Sequence, residues 1–268
     1  MTEIGESEKV ARRGISLRAV APNAVTALAL SFGLTGIRFA ISAAGPSGQT
    51  NDWALAIGAI TIAGVLDGID GRIARALKGE SRFGAELDSL SDAIAFGVAP
   101  ALILYLWSLQ QQPKFGWICA LTLAVCCALR LARFNAQIDV KDQPHKSAGF
   151  LTGIPAPAGA GLALAPLYAW LETGISIFRD PFLVAPWLVF VAILMVSNIA
   201  TYSWGSIRLR AEYRLMAIIG IGLFGAALFS EPWITLMGIT VVYLAVIPFS
   251  IRSYDKVKRA KSAATAAV

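Results

Sequence analysis

Residues 67–92 read DGIDGRIARALKGESRFGAELDSLSD, and the chain is apolar on either side, with AIGAITIAGVL at 56–66 and AIAFGVAPALILYLW at 93–107. Asp67, Asp70, Asp88 and Asp92 therefore stand within two consecutive stretches that otherwise read as membrane helices. A carboxylate left bare in hydrocarbon costs at least ~2.5 kcal/mol, so a cluster of four marks a functional site that something cationic must hold.

The rest of the chain agrees with a membrane setting. Of 268 residues, 56% are hydrophobic and only 15% charged, and the mean hydropathy of +0.64 excludes an ordinary soluble domain. About eight apolar spans, each near the ~20 residues needed to cross a bilayer, are predicted. They lie at 22–44, 53–77, 86–108, 116–136, 152–172, 182–200, 212–230 and 233–252. The fold class is an all-α integral membrane bundle.

Of the 23 lysines and arginines, all but Arg38, Lys114 and Arg179 fall on one side of these spans. That bias predicts an even number of crossings with both termini cytosolic. It also accounts for the net charge of +6 as a topology signal rather than a nucleic-acid footprint.

Residues 1–21 read as a basic cytosolic leader, not a cleaved signal peptide. Within it, 8–21 suit a short interfacial helix ended by Pro22 and Asn23, with Asn23 capping the first span. One membrane domain is expected over 22–200, followed by additional spans over 201–252 and a basic tail at 253–268. Cys119, Cys126 and Cys127 share the fourth span without disulfide or zinc-ligand spacing, and read as packing residues. His145, the only histidine, falls in a polar loop at 137–150 and offers no catalytic dyad.

On a helix Asp67, Asp70, Gly71 and Ala74 share one face, and Gly84, Asp88 and Asp92 share a face of the next. At ~1.5 Å per residue, Asp67 and Asp70 lie ~22 and ~27 Å from the outer end of their span, and Asp92 and Asp88 ~24 and ~30 Å from theirs. The two stripes thus meet at the level of the cytosolic headgroups. Hard divalent cations with oxygen ligands, two Mg²⁺ or Mn²⁺ ions, answer the charge and provide a clamp for phosphoryl transfer. Gly71, Ala74 and Gly84 leave the backbones open to a flat group such as a nucleotide. Arg75, one turn nearer water, suits a phosphate.

Written as a pattern, these residues give D-x2-D-G-x2-A-R-x8-G-x3-D-x3-D, from Asp67 to Asp92. This resembles, without departure, the signature of the CDP-alcohol phosphatidyltransferase family. The resemblance implies transfer of a phosphatidyl group from a CDP-linked lipid to a small alcohol, with release of CMP. It implies Asp67, Asp70 and Asp88 as metal ligands, Asp92 as ligand and general base, and Gly71, Ala74 and Gly84 beside the CDP moiety, with Arg75 nearby. It further implies a homodimer in a bacterial inner membrane, with its active site on the cytosolic side.

Arg130-Leu131-Ala132-Arg133-Phe134-Asn135, followed by Phe150, Gly153, Ile154, Pro155, Pro157 and Ala158, looks like the phosphatidylserine synthase branch of that family. The substrates implied are CDP-diacylglycerol and L-serine, with Arg130 and Arg133 as cations for the serine carboxylate. Glycerol 3-phosphate, choline or an inositol phosphate are the alternative acceptors within the same chemistry. A cation or proton transporter is the alternative of another class, but it would need carboxylates reachable from both faces.

Overall fold

The computed structural model describes residues 17–77, 79, 81–138, 150–202 and 214–266. The leader before Leu17 and the loop carrying His145 lie outside the described residues. In chain order the elements are α1 (Leu17–Ala44), α2 (Thr50–Leu77), α3 (Arg82–Asp92), a π-helical turn (Ala93–Val98), α4 (Ala99–Trp107) and α5 (Pro113–Ile138). There follow β1 (Phe150–Thr152), α6 (Ala156–Ala163), α7 (Ala165–Thr173), α8 (Pro181–Val196), β2 (Ala200–Tyr202), α9 (Arg214–Ser230) and α10 (Pro232–Ala266).

Five stretches are helical, long and apolar enough to cross a membrane: Val20–Ala44, Thr50–Leu77, Arg82–Trp107, Pro113–Ala136 and Pro232–Ser253. Pro181–Val196 and Ile218–Ser230 are apolar but shorter. The remaining expected span is broken at Leu164 into α6 and α7. Pro166 causes the break, because it has no N–H to donate to the carbonyl of Leu162. The indole Nε1 of Trp187 donates to that carbonyl instead, at 2.9 Å. Pro100 acts similarly on the third span: just before it the helix widens, and the Ala99 N–H reaches back five residues to the Ile94 carbonyl. The wide turn begins at the residue after Asp92.

Two expectations are corrected. The first span does not start at Asn23: α1 already begins at Leu17 and carries Pro22 within its first turns. A proline is tolerated there because the opening N–H groups of a helix have no intrahelical partner in any case. The bundle is also not purely helical, since β1 and β2 pair antiparallel, Phe150 opposite Tyr202 and Thr152 opposite Ala200. Gly153 allows this pairing. It takes φ +75°, and a Cβ there would stand 2.7 Å from the Met195 carbonyl oxygen. Finally, α10 continues unbroken into the basic tail as far as Ala266.

Packing relies on small residues, which let helices close when lipid supplies no hydrophobic drive between them. α1 runs along α2 and also contacts α3, the π turn and α4. At Gly33 a Cβ would meet Ala95 Cβ at 2.7 Å, and at Gly97 it would meet Cys127 Cβ at 2.9 Å. Cys127 is thus a packing residue. Phe96, Ile57, Ile103, Leu123, Leu167 and Leu188 fill the interior, while Leu28, Val65, Ile118 and Val241 lie exposed on the outside. At the end away from the aspartates, the Nε of Arg179 donates to the Trp107 carbonyl at 2.8 Å, and the Ser108 hydroxyl donates to the Arg179 carbonyl at 2.7 Å. Burial lowers the Arg179 pKa from its ordinary value.

Gly33→Val should destabilise the protein by ~1–3 kcal/mol through overpacking against the π turn. Gly58→Ala, where a Cβ meets nothing within 4 Å, should be neutral or raise stability by up to ~1 kcal/mol. Thermal unfolding of the two variants in one detergent checks the pair.

Candidate active site

Helix α2 carries Asp67 and Asp70, and α3 carries Asp88 and Asp92. One carboxylate oxygen from each of Asp67, Asp70 and Asp88 lies within 4.8 Å of the other two. Asp70 is buried and its two partners are half-buried. Asp92 lies at hydrogen-bonding distance from Asp67, beside this trio rather than within it. Both stripes therefore face one another as their spacing predicts.

Helices α2 and α3 themselves barely touch. What joins them is α1, and Thr26 is its junction. The Thr26 hydroxyl donates to Asp70 Oδ2 at 2.7 Å, and the Ser91 hydroxyl of α3 donates to the Thr26 carbonyl at 3.3 Å. The start of α3 is fixed by Ser81, whose hydroxyl accepts from the Gly84 N–H at 3.0 Å. Asn23 fills the space beside Gly84, where a Cβ would lie 2.8 Å from its Oδ1. The absence of a side chain at Gly84 thus serves contact with α1. Gly71 differs, because a Cβ there would meet nothing within 4 Å. Ala74 is half-buried and Arg75 exposed, further along α2.

The motif at 130–135 divides into three tasks. Arg130 faces the carboxylates, within electrostatic reach of Asp67 and Asp92, and its Nε is buried without a hydrogen-bond partner. Arg133 turns to α8 instead, donating from Nη1 to the Val196 carbonyl at 2.9 Å and from Nη2 to Asn198 Oδ1. Asn135 donates from Nδ2 to the Ser89 hydroxyl of α3 at 2.8 Å. The two arginines expected at one task are thus separated. Thr26, Ser89, Ser91 and Asn198 escaped the sequence reading. Their only trace is a lone hydroxyl or amide in or beside an apolar run, which ordinary helix back-bonding explains equally well.

The trio suits a divalent ion. Oxygen ligands of Mg²⁺ or Mn²⁺ at ~2.1 Å stand roughly 3 to 4 Å apart, which the trio reaches with small side-chain adjustments. A set made only of carboxylate oxygens favours hard cations over zinc or copper.

The family model described as CDP-alcohol phosphatidyltransferase matches residues 19–204, and a second, CDP-alcohol phosphatidyltransferase 2, matches 212–248. The chain is 37% identical to a protein of Mycobacterium leprae named CDP-diacylglycerol--serine O-phosphatidyltransferase, covering 90% of this chain and 77% of that one. A Helicobacter pylori protein of the same name is 31% identical over 75% of this chain and 80% of its own. One from Methanocaldococcus jannaschii is 35% identical over 61% and 73%.

If Thr26 orients Asp70 for a cation, Thr26→Val should weaken Mn²⁺ binding by roughly 10- to 100-fold, as loss of a group supporting a ligand commonly does. Titration of the purified protein with Mn²⁺, followed by electron paramagnetic resonance, measures this directly.

Proposed function

The chain belongs to the CDP-alcohol phosphatidyltransferase family, and from that premise we propose that it transfers the phosphatidyl group of CDP-diacylglycerol to the hydroxyl of L-serine, giving phosphatidylserine and CMP. The observation that carries this reading is the convergence of Asp67, Asp70 and Asp88 with Asp92 beside them, in a chain aligned along 90% of its length with a serine-using relative.

Asp67, Asp70 and Asp88 would hold Mg²⁺ or Mn²⁺, with Asp92 completing the ligands of a second ion. Such a pair neutralises the diphosphate and stabilises the charge left on departing CMP. The protein's own part is positioning and proton transfer. A carboxylate oxygen of Asp92 takes the proton from the serine hydroxyl as its oxygen attacks phosphorus in line. The bond from phosphorus to the CMP oxygen breaks in the same displacement, so no covalent enzyme intermediate is required. Gly71 and Ala74 leave room for the nucleotide along α2, and Arg75 meets its phosphates from the water side.

Arg130 receives the serine carboxylate. Its guanidinium faces the cluster with Nε unpartnered, which suits a planar anion brought in as substrate. Arg133 is a strut that keeps α5 against the end of α8. Counting α3–α4 and α6–α7 as one crossing each, eight crossings place both termini and the carboxylates on the cytosolic side. The distribution of lysine and arginine supports that orientation.

The decisive assay is CMP release by purified protein from CDP-diacylglycerol with each alcohol offered separately. Serine should support it, and release with only glycerol 3-phosphate or choline would overturn the acceptor. Asp92→Asn should lose turnover by ~10²–10⁴-fold while retaining CDP-lipid binding. Arg130→Gln should raise the serine KM roughly 10- to 100-fold, the worth of a hydrogen bond to a charged group, with little change in the KM for CDP-lipid. Arg133→Gln should instead lower the Tm.

A further inference from the structure

The C-terminal helices enclose a cavity of ≈ 550 Å³ whose lining is almost wholly apolar. Phe224 of α9 forms one wall, and Gly238, Val242 and Val246 form the floor along one face of α10. From Thr235 to Ser250 the furrow follows α10 for ~22 Å, longer than the ~15 Å depth of one leaflet's hydrocarbon. An apolar furrow alone does not select a lipid, because bulk acyl chains are as apolar as its walls. Selection requires polar groups.

Two are present. Tyr243 Oη and Ser250 Oγ both line the cavity, and both are buried without a hydrogen-bond partner. Neighbouring hydroxyls on the same helix are treated differently. Thr235 donates to the Glu231 carbonyl at 2.7 Å, and Thr240 to the Leu236 carbonyl at 2.9 Å. A buried hydroxyl left unpaired is destabilising, so two in one furrow point to an acceptor that enters from outside. The unpaired hydroxyls also mark the end of the furrow continuous with the catalytic cluster. Tyr243 is within electrostatic reach of Arg130, which in turn reaches Asp67 and Asp92.

We propose that the furrow along α10 holds one acyl chain of CDP-diacylglycerol, with its ester carbonyl accepting hydrogen bonds from Tyr243 Oη and Ser250 Oγ. An ester carbonyl is acceptor-only and matches two donors, and the chain below it runs past Val246 and Val242 towards Thr235. The C-terminal helix pair is then a substrate-binding part of the enzyme rather than a support. This inference rests on the proposed activity, and its test is chosen to fail separately from it.

Wild-type protein in lipid nanodiscs is irradiated with CDP-diacylglycerol bearing a photoactivatable acyl chain, and the adducts are mapped by mass spectrometry. Adducts on α10 between Thr235 and Ser250 and on Phe224, competed by unlabelled CDP-diacylglycerol but not by phosphatidylcholine, are expected. Adducts elsewhere overturn the furrow. So do equal labelling by photoactivatable phosphatidylcholine, which would mean bulk lipid, and crosslinks to a second copy of the chain. If serine-dependent CMP release is normal in any of these cases, the activity stands and only the furrow falls. In parallel, Val242→Trp should raise the KM for a sixteen-carbon CDP-diacylglycerol by roughly 10-fold and leave that for a six-carbon analogue and for serine unchanged. Tyr243→Phe with Ser250→Ala should weaken the diester substrate several-fold and spare its ether-linked analogue, which lacks the carbonyls. Equal losses on both members of either pair would overturn the proposal.

Discussion

Four carboxylates brought together at one end of an apolar bundle repel one another, and in a medium of low dielectric that repulsion is far stronger than in water. The surrounding structure follows from this constraint. Helices α2 and α3 carry the charges and hold apart. Helix α1 joins them through a neutral junction, Thr26, which gives Asp70 a donor and Ser91 an acceptor. The arrangement leaves open space over Gly71, on the face where the carboxylates point. A divalent cation completes the site by supplying the charge that the helices lack.

The short motif in α5 illustrates how one helix serves several partners at once. Arg130, Arg133 and Asn135 sit within two turns, yet they face the carboxylates, the end of α8 and the side of α3 respectively. Helical geometry requires this divergence, because residues three and five apart point about 60° and 140° from one another's direction. The result ties the mobile-looking ends of three helices to the reacting centre. The β1–β2 pair adds to it, with Gly153 donating its N–H to the Ile199 carbonyl at 2.8 Å and Thr201 returning a bond to the Gly153 carbonyl at 2.7 Å.

Proline sets the shape of the interior more than its position in sequence suggests. Pro22 lies inside α1, Pro100 follows a π turn and Pro166 breaks a span in two. Each removes one N–H from a helical ladder, and the consequence depends on what can replace it. Trp187 donates to the carbonyl freed by Pro166, whereas the helix near Pro100 widens instead. The widening begins immediately after Asp92, at the point where α3 leaves the site for the core.

The membrane character, most of the crossings and the pairing of the aspartate stripes were legible in the residues themselves. Hydropathy depends on composition over about twenty positions, and the stripes depend on a period of 3.6, so neither needs a partner to be known. The division between Arg130 and Arg133, the contact of Asn23 with Gly84, the junction at Thr26 and the orphan hydroxyls of Tyr243 and Ser250 were decided by tertiary structure. A side chain's spacing along its own helix sets the direction in which it leaves. What it meets there is settled by a different helix, many residues away in sequence, and only packing brings the two together.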